Sequence, residues 1–175
     1  MNTEIKLENI VGAGIICMNK NNYNFLLIYN RNKYGFPKGH LKKNESYING
    51  AFREFKEETG INKNLQISGF MICKSVVFFI VFTSYEFILN PENIITKDEV
   101  YHICWKNIYD LLPNETTIGI KTFINFSNNL KKLDVNFNID KLIIYRKNYY
   151  LKNYNYVLNI IDNNLLSYDD FTNII

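Results

Sequence analysis

The sequence predicts a single α/β domain, on three observations. Short apolar runs rich in β-branched and large residues recur at 10–18, 25–29, 66–73 and 76–89, which is the pattern of strands. Residues 46–59 switch to helical spacing, with Ile48, Ala51, Phe52, Phe55 and Thr59 on one stripe and Gly60 supplying the stop. The chain has 175 residues, enough for one well-filled core and too few for two ordinary ones.

Taken in order, the runs 10–18 and 25–29 flank the turn-like segment NKNNYN and are expected to form a strand pair. Residues 31–43 read as a loop with Gly35, Pro37 and Gly39. This loop carries Arg31, Lys33, Lys38, Lys42 and Lys43 with no acid among them, a composition suited to phosphate. After the helix come strands at 66–73 and 76–89 and a third near 100–104. Residues 107–112 read as a short helix ended by Pro113, and 116–133 as a longer one. Residues 134–175 alternate apolar side chains with Asn, Tyr and Lys without turn punctuation, and both helix and strand fit them. The whole of 1–175 is expected to be one domain, with 134–175 a C-terminal elaboration.

Hydrophobic residues make up 47% of the chain and charged residues 21%, which excludes the disordered and fibrous classes. The net charge of +3 means that any attraction for nucleic acid must come from local patches. One such patch is Lys141, Arg146, Lys147 and Lys152, interleaved with Tyr145, Tyr149 and Tyr150. Its cations suit RNA phosphates and its rings suit stacked bases, although in a chain with 13 tyrosines coincidence reads equally well. No DNA partner is expected.

Cys17, Cys73 and Cys104 are odd in number and form no CxxC pair, as core thiols in a reducing compartment would. With His40 and His102 the only histidines, structural zinc is not expected. Glu4, Lys6 and Glu8 break the N-terminus before any apolar run, unlike a secretory signal, and the longest apolar run, 76–82, is too short to span a bilayer. A cytoplasmic protein without a membrane partner is the expectation.

On a helical wheel, Glu54, Glu57 and Glu58 fall at i, i+3 and i+4, away from the apolar stripe. Like charges so close repel one another unless a cation sits among them. A hard divalent ion, Mg²⁺ or Mn²⁺, suits such oxygen donors beside a basic, phosphate-seeking loop. A metal held there polarises a phosphate and activates water, which makes phosphoanhydride hydrolysis the natural reaction.

The stretch 39–61 reads Gly39, five residues, Glu45, seven residues, then Arg53-Glu54-Phe55-Lys56-Glu57-Glu58-Thr59-Gly60-Ile61. It resembles the Nudix hydrolase signature at every defined position. The resemblance implies an α/β/α sandwich with a mixed β-sheet, and an enzyme that cleaves a nucleoside diphosphate joined to a further group. It also implies that Glu57 and Glu58 are the main metal ligands, with the Gly39 carbonyl adding a contact and Glu54 beside them as ligand or base. Arg53 would orient the glutamates, and Glu45 would brace the loop.

The lead-in Gly35 to His40 looks like the branch containing mRNA-decapping enzymes and the dinucleoside polyphosphate and diphosphoinositol polyphosphate hydrolases. In that branch Lys38 would reach a substrate phosphate, and His40 is either a substrate contact or a solvent-facing loop residue. Glu99 is similar to the downstream acid of these enzymes, with Asp98 the neighbouring alternative. A capped RNA leads as the expected substrate, a dinucleoside or diphosphoinositol polyphosphate is the alternative, and a nucleotide-sensing module without catalysis is the competing non-enzymatic reading.

Overall fold

A computed structural model of the chain describes residues 10–132, 149–150 and 157–160. In chain order its elements are β1 (Gly12–Asn19), β2 (Phe25–Asn30), β3 (Lys33–Gly35), β4 (Lys38–His40), α1 (Tyr47–Thr59), β5 (Ile67–Cys73) and β6 (Val76–Thr83). There follow β7 (His102–Lys106), α2 (Ile118–Lys132), β8 (Tyr149–Tyr150) and β9 (Val157–Ile160). The strands form one mixed sheet in the order β3-β2-β1-β6-β5-β9-β8, with β4 also pairing with β1 and β7 with β2. β1 and β6 run parallel from Gly12↔Val76 to Asn19↔Thr83, while the other pairings are antiparallel.

The near-continuous apolar character of β1 and β6 follows from burial on both faces of the sheet. Ile15 and Cys17 of β1 and Val77, Phe79 and Val81 of β6 pack in one cluster with Ile48, Ala51 and Phe55 of α1. The alternate residues Ile16 and Met18, with Phe78 and Ile80, pack in a second cluster with Ile120 and Phe123 of α2. A helix therefore covers each face, and the arrangement is the α/β/α sandwich expected from the sequence. Each fully buried Phe or Ile contributes roughly 1.5–3 kcal/mol relative to exposure, so these two clusters dominate the stability.

The segment 31–43 is less of a loop than its composition suggests. Arg31 (φ 47°) and Asn32 (φ 61°) make a two-residue turn, which lets β3 fold back on β2 with Asn30↔Lys33 and Ile28↔Gly35 in register. β4 then pairs with β1 from Gly12↔His40 to Gly14↔Lys38. Pro37, which has no N–H to give, lies between these strands and accepts from Ile15 N–H at 3.0 Å. Strands of three residues with charged, exposed members leave no hydrophobic periodicity to detect.

Other boundaries shift for identifiable reasons. β6 ends at Thr83, whose hydroxyl donates to the Tyr85 carbonyl at 2.8 Å, and Phe87 leaves the sheet to pack on Trp105. The short helix expected at 107–112 is a single 3₁₀ turn, Ile108–Asp110, and Pro113 opens a second such turn rather than ending the first. Within 134–175 the described residues are strands, β9 pairing with β5 through Gly69↔Ile160 and Met71↔Leu158. Of the basic patch, Lys141, Tyr145, Arg146, Lys147 and Lys152 lie outside the described residues.

α1 carries both expected end signals. The Ser46 hydroxyl accepts from Asn49 N–H at 3.2 Å, and Gly60 closes the helix at φ 71° with its N–H donating to the Lys56 carbonyl at 2.8 Å. A side chain at Gly60 would also collide with Asn93. Gly60→Ala is therefore expected to lower unfolding free energy in urea by at least about 1–2 kcal/mol, the cost of a left-handed non-glycine residue. A loss smaller than a few tenths would contradict the cap.

Candidate active site

The site is assembled where α1 crosses the end of β4. Arg53 projects from α1 and spends its guanidinium on four acceptors. Its Nε and Nη2 grip the two oxygens of Glu45 at 2.8 and 2.9 Å, a bidentate fork. Nη2 also donates to the His40 carbonyl at 2.8 Å. Nη1 reaches Glu54, its neighbour in sequence, and Glu57 one turn on at 3.2 Å. Glu45 in turn accepts from Lys42 N–H at 2.9 Å, so one guanidinium fastens the loop 40–45 to the helix. The Arg53 hydrogen bonds, more than the opposing desolvation, hold the Glu45 carboxyl down at about 2.

Glu58 lives in a different environment. It is 5% exposed, and its Oε2 accepts from the backbone N–H of Lys38 at 2.6 Å. Burial pushes this carboxyl up to about 8, and the Lys38 hydrogen bond only partly opposes the shift. Glu99 and Glu54 add like charge.

The downstream acids arrive on a loop tied to the same helix. Ile95 and Thr96 N–H donate to the Glu57 carbonyl at 2.8 and 3.3 Å, and Thr96 in turn accepts from Glu99 N–H at 2.9 Å. As a result Lys38, Gly39, His40, Glu58, Asp98 and Glu99 all line one cleft of about 760 Å³. Asp98 and Glu99 are both exposed at its wall. Sequence reasoning had no signal for Thr96, whose backbone N–H and hydroxyl, the latter at 3.4 Å, both donate to the Glu57 carbonyl far away in sequence. It also did not separate Arg31 and Lys33, which line the cleft, from Lys42, an exposed side chain that stands 4.0 Å from the half-buried Glu57 in a pair of little energetic weight.

The residues that the sequence brings together on a helix are thus only partly gathered in space. Glu54 and Glu57 turn to Arg53 rather than to Glu58, and among the described residues no three acidic, His or Cys side chains are close enough to enclose an ion. The donor chemistry nonetheless fits a hard divalent cation. Every donor is an oxygen, and the backbone of Gly39 lies so close to the Glu54 carboxylate that a Cβ there would overlap it. A buried carboxyl with no cationic side chain hydrogen-bonded to it among the described residues completes the set.

Other candidates separate from the site. Burial pushes the Cys17 thiol up to about 12 and raises Cys73 and Cys104, which disfavours thiolate chemistry. His102 stacks on Tyr29 with ring centroids 4.8 Å apart and does not line the cleft.

A mixed sheet between two helices, with a glutamate-bearing helix locked by arginine to a cationic loop, defines a Nudix-type domain. The chain belongs to this family, whose NUDIX domain matches residues 8–125. Among curated relatives it is 37% identical over 59 residues to an RNA pyrophosphohydrolase of Pelagibacter ubique. That match covers 32% of this chain and only 37% of the relative's length. Among solved structures it resembles a C. elegans Ap4A hydrolase at 23% identity and TM-score 0.50, covering 70% of this chain and 95% of that one. It also resembles a bifunctional NMN adenylyltransferase/ADP ribose pyrophosphatase from Francisella tularensis, complexed with AMP and a manganese ion. There the identity is 13% and the TM-score 0.53, over 71% of this chain and 41% of that one.

The Glu45–Arg53 fork makes a pH-dependent contribution with a definite sign. The folded carboxyl titrates near 2 against an ordinary value of 4.5, so its stabilisation is present above about pH 4.5 and is lost as pH falls toward 2. Wild type is expected to melt above Glu45→Gln at pH 6 and to converge on it near pH 2. A difference unchanged across that window would remove the fork from the account.

Proposed function

We propose that this chain is a divalent-metal-dependent pyrophosphohydrolase that cleaves a phosphoanhydride bond in a nucleoside diphosphate-linked substrate. The observation carrying this reading is the single cleft in which Glu58, Asp98 and Glu99 share the walls with Lys38, His40 and the cationic hairpin before them. Glu57, Glu58 and Glu54, with the Gly39 carbonyl, would hold Mg²⁺ or Mn²⁺. The ion, when bound, supplies charge neutralisation at phosphate and a lowered pKa for attacking water. Arg53 orients Glu54 and Glu57 through the hydrogen bonds described above. Lys38 and His40 bind substrate phosphate, and Glu99 takes the proton from water, with Asp98 or Glu54 placed to do the same.

For the substrate we favour the 5′ end of an RNA, capped or triphosphorylated. Support comes from the Gly35 to His40 lead-in and from the 37% identity over 59 residues to an RNA pyrophosphohydrolase. A dinucleoside polyphosphate is the second reading, favoured by the size of the cleft.

Capped RNA, 5′-triphosphorylated RNA and diadenosine tetraphosphate, assayed side by side with Mg²⁺ and with product identification, test the proposal. RNA left intact while the dinucleotide is cut rejects the RNA reading, and no turnover of any substrate rejects the hydrolase. Chelation is expected to abolish turnover and added Mg²⁺ or Mn²⁺ to restore it. Glu57→Gln is expected to lower kcat by several orders of magnitude, and unchanged kcat in that variant would end the mechanism.

A further inference from the structure

The turn joining β2 to β3 is built from an unusual residue. Asn30 and Lys33 pair across it, and the two residues between them, Arg31 and Asn32, both adopt left-handed backbone. Turns of this kind favour Asn, Asp and Gly. Asn32 fits that preference, whereas Arg31 places a large side chain where the Cβ is strained. Strain held in this way is a reason to look for function.

The position of that side chain supplies one. Arg31 and Lys33 are both exposed and line the same cleft as Glu58, Asp98 and Glu99. Neither forms an ion pair with a carboxylate within 4.0 Å among the described residues. Of the five cations in the segment 31–43, Lys42 and Lys43 do not line the cleft, so Arg31 and Lys33, from the turn and the start of β3, add two positive charges to that of Lys38 on β4. The cleft, at about 760 Å³, lies in the upper half of the roughly 300–1,000 Å³ range of small-molecule sites. Each phosphoryl group of a linear chain adds negative charge, so a longer chain has anions for Arg31 and Lys33 as well as for Lys38.

We propose that Arg31 and Lys33 form a distal phosphate clamp that selects linear chains of three or more phosphoryl groups over diphosphates. This rests on the hydrolase reading above and narrows its substrate class. A 5′-triphosphorylated RNA and a dinucleoside polyphosphate share that chemistry, and the clamp acts through the chain of phosphates they have in common. Arg31 meets phosphate as a planar fork and Lys33 as a point charge.

The test compares wild type, Arg31→Gly and Lys33→Gln. The substrates are dinucleoside polyphosphates with two, three and four phosphates, and RNA oligonucleotides with two or three 5′ phosphates. Wild type is expected to favour the longer chains in both series. Each variant should reduce that preference by about tenfold, the scale of one charge-assisted contact, through KM rather than kcat. Loss in one series alone identifies which source the clamp serves.

Calorimetric titration without metal, using inorganic tripolyphosphate and pyrophosphate, reads the clamp independently of turnover. Wild type should bind tripolyphosphate about tenfold more tightly, and Arg31→Gly should lose the difference. Because glycine relieves the left-handed strain, Arg31→Gly should melt no lower than wild type, which separates lost binding from misfolding. Variants that keep the wild-type ratios in both assays overturn the clamp. If wild type hydrolyses nothing yet discriminates between the two inorganic chains in this way, the hydrolase reading fails and the clamp stands.

Discussion

The Arg53 guanidinium is the contact on which the geometry of the site depends. Its donors reach Glu45, the His40 carbonyl, Glu54 and Glu57. Without them, three carboxylates would crowd one end of α1, and like charges at that separation push apart or protonate. With them, the loop that follows β4 is fixed in register with the helix, and both carry groups that line or flank the cleft. The guanidinium suits this task because it is planar and presents several donors in a fixed fork, which an ammonium group cannot imitate. One positive charge against three negative ones still leaves the cluster acidic, so the site retains an electrostatic demand after its internal contacts are made.

The sheet converts that local arrangement into a rigid frame. β1 is buried along its whole length and holds β4 on one side and β6 on the other, so Gly39 and Lys38 are positioned by the most deeply packed strand in the fold. α1 is clamped to the same strand through Ile48, Ala51 and Phe55. The loop carrying Asp98 and Glu99 has no sheet partner of its own. Its placement comes instead from the Glu57 carbonyl at the end of α1, of the kind a helix terminus leaves unsatisfied, which here accepts both Ile95 and Thr96 N–H. Helix, loop and strand thus share one reference point, and displacement of α1 would move both acidic walls together.

What could be read from sequence divides along the same physical lines. The helix 46–59 and the strands β1, β2, β5 and β6 announce themselves because burial on one or both faces forces apolar periodicity, and Ser46 and Gly60 mark the helix ends by their own chemistry. β3 and β4 were hidden because strands of three residues with exposed lysines and a histidine are held by backbone pairing, which leaves no side-chain signal. The glutamates were legible as a cluster, since i, i+3 and i+4 spacing fixes their common face. That Glu54 and Glu57 turn to Arg53 while Glu58 turns to the Lys38 backbone was not legible, because it depends on where β4 passes the helix.

Two carboxyls of the same signature therefore end with opposite chemistry. Glu45, gripped by a guanidinium, is held at about 2, and Glu58, buried against a single backbone donor, rises to about 8. The fold hydrogen-bonds a guanidinium to the first and gives the second a backbone amide with the Lys38 charge nearby, which do not offset its burial, although both begin with the same side chain. A protein selected for stability alone would place an apolar residue at the Glu58 position, since burying an ionisable group without a hydrogen-bonded cationic side chain is unfavourable. Retaining it makes sense where a positive charge comes from outside the chain, and the donors around it, all oxygens, set what kind of charge that would be.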